Sequence, residues 1–126
     1  MFIPLGEWLP AFLLTLCVEI PVALLALSAG RTAIPRTEIP RAAVIVVLAN
    51  LATHPVVWFV LTQVLLVGTP AYTAVAEAWA VVVEALFYAV AITGIRSRRA
   101  IAVAVVANGA SFVVGRVWYA FGGGPW

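Results

Sequence analysis

Five residues in the 126-residue sequence could do chemistry where chemistry is least expected. Glu19, Glu84, Asn50, Asn108 and His54 all lie inside long apolar runs. "LANLATHPVVW" (48–58) holds an asparagine, a threonine, a histidine and a proline within six positions. In hydrocarbon, a carboxylate costs about 2.5–3.5 kcal/mol even on permissive insertion scales, so such residues face a protein interior or water. A carboxylate held there can exchange a proton for a cation. Glu19 and Glu84 are therefore the leading candidates for a transport site, with Asn50, Asn108 and His54 as its other polar members. Oxygen ligands suit a proton, a monovalent cation or a hard divalent ion, while His54 also admits a transition metal. No cofactor is expected, although a metal ion remains compatible with this set.

The runs that carry these residues set their depth. The chain is 65% hydrophobic and 10% charged, where soluble domains are nearer half apolar and one quarter charged. Four apolar segments, about 9–30, 42–67, 71–94 and 100–121, each reach the roughly 20 residues that cross a bilayer core. The expected fold is all-α: one four-helix transmembrane domain over 1–121, with hairpins at about 9–67 and 71–121, then a flexible glycine-rich tail at 122–126. "MFIPLGEW" has no basic residue, so the first segment is read as a retained helix rather than a signal peptide.

All seven basic residues are arginines, and six of them fall in the loops 31–41 and 95–99. The positive-inside rule places those loops in the cytoplasm and both termini outside a cell membrane. Trp8, Tyr72, Trp118, Tyr119 and Trp126 then gather at the outer interface. Cationic clusters on a soluble face are missing, which argues against nucleic acid as a partner. The single cysteine, Cys17, excludes an intrachain disulfide and reads as a small buried hydrophobe.

The two hairpins resemble one another. "RAAVIVVLANLAT" from Arg41 aligns with "RAIAVAVVANGAS" from Arg99, matching Asn50 with Asn108 and Thr53 with Ser111. "VEIPVALLALSAGR" and "VEALFYAVAITGIR" match Glu19 with Glu84 and Arg31 with Arg96. The expectation is a duplicated hairpin whose halves are related about the membrane normal, an arrangement known among transporters.

Helical rise puts Asn50 and Asn108 about 13–14 Å from the arginine loops, Glu19 and Glu84 about 18 Å, and His54 about 20 Å. All five thus fall near the middle of the bilayer. Glu77 and Arg116 come out about 25–29 Å up, where an interhelical ion pair is expected. Pro21 and Pro55 remove backbone donors beside Glu19 and His54 and predict helix kinks.

Three classes of function follow. The first is a small proton- or cation-coupled permease or channel; four helices enclose little volume, so it would self-associate. The second is a non-catalytic subunit or assembly factor that pairs its polar stripe with another membrane protein. The third, an intramembrane hydrolase, has no supporting motif, and the chain is not expected to be an enzyme.

Overall fold

A computed structural model of the protein describes residues 5–30 and 32–122. Arg31, Trp126 and most of the glycine-rich tail fall outside these residues. Four helices are long and apolar enough to cross a membrane. Helix α1 spans Leu5–Ser28. A short 3-10 turn, Arg36–Glu38, leads into α2 at Ile39–Pro55, which continues through a π-helical stretch, Val56–Leu61, to Val64. Helix α3 spans Pro70–Ala91 and α4 spans Ser97–Ala120. The helices form a closed square in which α1 and α3 each pack against both α2 and α4. Four crossings in a bundle are those the hydrophobic runs predict, with ends within about six residues of the expected ones.

Local chemistry sets the helix ends. Thr69 caps α3 by accepting a hydrogen bond from the Tyr72 amide at 3.2 Å, and Pro70 occupies the first turn, where no amide donor is needed. The uncharged connection before it turns at Gly68, whose φ of 84° suits a residue without a β-carbon. Pro10 and Pro21 are absorbed within α1, which stays α-helical throughout. At Pro55 the ladder changes instead, passing directly into the six π-helical residues. A widened turn is one way a helix accommodates a missing donor.

Packing is inverted relative to a soluble protein. The buried core is built mainly of alanine (Ala23, Ala42, Ala49, Ala85, Ala100, Ala104 and Ala107), together with Leu27, Val46 and Tyr88. Large apolar side chains such as Leu25, Leu48, Leu86, Val90 and Ile101 point outward. Small residues let helix backbones approach closely where no hydrophobic force drives them together. Cys17 belongs to the outward set, not to the core as the sequence suggested. Glu19 fixes the interior face of α1, and two residues at about 100° each carry Cys17 to the opposite side.

Two arginines bind the bundle at the arginine-loop end. Arg99 on α4 donates to the main-chain carbonyls of Ala26, Leu27 and Ala29 at 2.7–2.9 Å, and to the Thr32 hydroxyl. Arg41 on α2 donates to the Ala91 carbonyl at 3.1 Å and to Thr93 at 3.3 Å. Each guanidinium thus satisfies carbonyls that a helix C-terminus leaves open, where the helix dipole also favours a cation. Replacing Arg99 with Gln should lower stability by about 1–2 kcal/mol, while Arg98→Gln, on an exposed side chain, should leave it almost unchanged. Thermal unfolding in detergent, followed by tryptophan fluorescence, checks the difference.

Candidate functional site

Glu19 and Glu84 are both 1% exposed, and so is Asn50. They reach the centre of the square from α1, α3 and α2, and Asn108 joins them from α4. Four of the five candidate residues therefore meet in one network.

The network has a regular pattern. Asn50 Nδ2 donates to Glu19 Oε2 at 2.8 Å and to the Val46 carbonyl, one turn back, at 3.1 Å. Asn108 Nδ2 likewise donates to Glu84 Oε2 at 2.7 Å and to the Ala104 carbonyl at 3.0 Å. The hydroxyls cross over. Ser111 Oγ lies 2.6 Å from Glu19 Oε1, and Thr53 Oγ1 lies 3.2 Å from Glu84 Oε1. Each glutamate thus takes an amide donor from its own hairpin and a hydroxyl from the other. Tyr88 adds a fifth donor, its hydroxyl 3.3 Å from Glu84 Oε2. The alignment of the two hairpins matches Thr53 with Ser111 but names no partner for either. The visible signal was a hydroxyl three residues after each asparagine.

A cavity of about 570 Å³ leads to this network. Its floor includes Glu19, Asn50, Glu84 and Asn108, and its walls rise past His54, Trp58, Tyr72 and Phe112. The rim is formed by Glu7, Gly68, Arg116 and Tyr119, at the helix ends opposite the arginine loops. Below the floor, the alanine-rich core fills the bundle down to those loops. Four of the five glutamates line the cavity, against a single arginine.

His54 lines the cavity one turn above Asn50 and does not join the carboxylates. Its Nε2 is 3.4 Å from Thr15 Oγ1, while Nδ1 is buried without a partner among the described residues. Aromatic rings surround the imidazole, with Trp58 stacked at 5.9 Å and Phe12 edge-on at 5.3 Å between centroids. No three metal-ligating side chains cluster among the described residues.

The expected Glu77–Arg116 ion pair does not form. Both residues line the cavity, but the one ion pair within 4 Å among the described residues is Arg41–Glu38 at 3.6 Å. Arg116 extends as an exposed side chain at the rim.

No protein-family profile, no curated protein and no solved structure matches the chain.

Removing one donor leaves a buried carboxylate oxygen unsatisfied, which costs more than the bond itself. Asn50→Ala, which takes away the 2.8 Å bond to Glu19 Oε2, an oxygen with no other donor among the described residues, should destabilise the bundle by about 2–3 kcal/mol. Thr53→Val, which keeps the shape but deletes a shared hydroxyl, should cost about 1 kcal/mol. Equilibrium unfolding in mixed micelles measures both, and equal effects would contradict the ranking.

Proposed function

We infer that this is a small integral membrane protein of the cell membrane that moves protons or cations through the site around Glu19 and Glu84. The observation that carries the reading is the cavity, which runs from one end of the bundle to two buried carboxylates. A subunit that used its polar residues only to hold helices together would need no such access. The lining is strongly acidic, and carboxylates in a low-dielectric cleft focus the field on cations. Proton-coupled exchange follows if a carboxyl group gives up its proton as the cation arrives. His54 stands in the path above the floor and is suited to relay protons.

The topology proposed with this reading keeps the arginine loops in the cytoplasm and both termini outside, so that the cavity faces outward. The reading also takes the two hairpins as a duplication. Its support is the correspondence of their contacts: Asn50 and Asn108 with carbonyls one turn back, crossed hydroxyls, and Arg41 and Arg99 on the aligned carbonyls of Ala91 and Ala26. Transport requires the arginine end to open in turn, and a further copy or another membrane protein can complete the conducting unit. The chain is read as non-enzymatic, with no resident cofactor.

Purified protein in liposomes loaded with a pH-sensitive dye tests the proposal. An imposed cation gradient should drive proton movement, and Glu19→Gln or Glu84→Gln should reduce the initial rate at least tenfold. Unchanged rates in both variants would remove these carboxylates from the mechanism. Absence of flux, together with co-purification of a second membrane protein at fixed stoichiometry, would favour a subunit role.

A further inference from the structure

The size, lining and acceptor chemistry of the cavity select among cations. A small hard ion needs its hydration shell replaced by about six to eight oxygen ligands. Here every oxygen of Glu19 and Glu84 already accepts from a hydroxyl or an amide, so part of the acceptor capacity of the floor is spent within the protein. A volume of about 570 Å³ also far exceeds a bare ion and falls within the range that encloses drug-sized molecules.

The walls carry what an inorganic ion cannot use. Trp58, Tyr72, Phe112 and Tyr119 line the cavity with aromatic surface. Aromatic faces attract cations electrostatically, most strongly where water is excluded, and quaternary ammonium groups are bound in this way. A second, independent feature points the same way. Asn50 and Asn108 are 1% and 6% exposed and line the cavity, yet the Oδ1 of neither accepts a hydrogen bond from the described residues. Both oxygens carry partial negative charge at the cavity floor, which favours a cationic head whether or not it bears N–H groups. Arg116 at the rim is the single cation of the lining, and an anionic guest would meet four carboxylates.

We propose that the cavity is a binding site for a monovalent organic cation, a protonated amine or quaternary ammonium carrying an apolar, preferably aromatic, body. The charged head lies over the carboxylate pair, and the body lies among Trp58, Tyr72 and Phe112. This deepens the transport reading and rests on it for movement, though not for occupancy.

Calorimetric titration of the purified full chain in detergent separates the alternatives, using benzyltrimethylammonium, tetramethylammonium, sodium and phenylmethanesulfonate as probes. Saturable binding of benzyltrimethylammonium is expected, about tenfold weaker for tetramethylammonium and at least a hundredfold weaker for the sulfonate, which keeps the benzyl body but reverses the charge. Sodium at the same concentration should not displace the organic cation. Glu84→Gln and Glu19→Gln should each weaken binding at least tenfold, and Glu38→Gln, outside the cavity, should not change it. Comparable affinity for the sulfonate, displacement by sodium at equal concentration, or undiminished binding in folded Gln variants would overturn the assignment. Where the Gln variants fail to give monodisperse protein, Trp58→Leu replaces them, with a fivefold to tenfold loss expected and an unchanged affinity counting against the site. Binding without flux would sink the coupling and keep the ligand class; flux without binding would do the reverse.

Discussion

The whole arrangement depends on satisfying two carboxyl groups buried between apolar helices. Lipid-facing helices can pack in many rotations, because hydrocarbon gains little from one apolar face over another. Glu19 and Glu84 remove that freedom. Their oxygens need donors, and the donors lie on other helices: Asn50 and Thr53 on α2, Asn108 and Ser111 on α4. Each helix must therefore present one particular face inward, at one particular depth. The alanine-rich core then follows as the packing that lets backbones come close enough for such short side chains to reach.

Much of this was legible from one-dimensional spacing. Four apolar runs and two arginine-rich loops gave the crossings, and counting helical rise placed Glu19, Asn50, Glu84 and Asn108 at common depth. Those residues meet because each is too costly to leave in lipid. Depth, however, carries no information about lateral distance. Glu77 and Arg116 both line the cavity, yet the expected pair is missing. His54 was grouped with the carboxylates on the same ground, and the structure gives it Thr15 and aromatic neighbours instead.

The arginines illustrate a different limit. In the sequence, Arg41 and Arg99 mark the expected cytoplasmic side, a property of charge alone. Their contacts are with main-chain carbonyls at the ends of α3 and α1, about 50 and 70 residues away in sequence. Every residue has a carbonyl, so no pattern of side-chain types could have named these partners. Only the ring of helices, which sets α2 beside α3 and α4 beside α1, brings them within reach.

The distribution of bonds between and within hairpins has a mechanical consequence. The amide donors, Asn50 to Glu19 and Asn108 to Glu84, stay within one hairpin, whereas the hydroxyls of Thr53 and Ser111 and both arginine contacts run between hairpins. If one hairpin rocks against the other, each glutamate keeps its amide partner and loses its hydroxyl. A carboxyl group stripped of one donor holds its negative charge less well, unless a proton or a cation takes that place. Under the transport reading proposed above, occupancy of the floor and the relative position of the hairpins would be linked through the same two oxygens, Glu19 Oε1 and Glu84 Oε1. Such a linkage would let a ligand with different affinities for two states shift the balance between them.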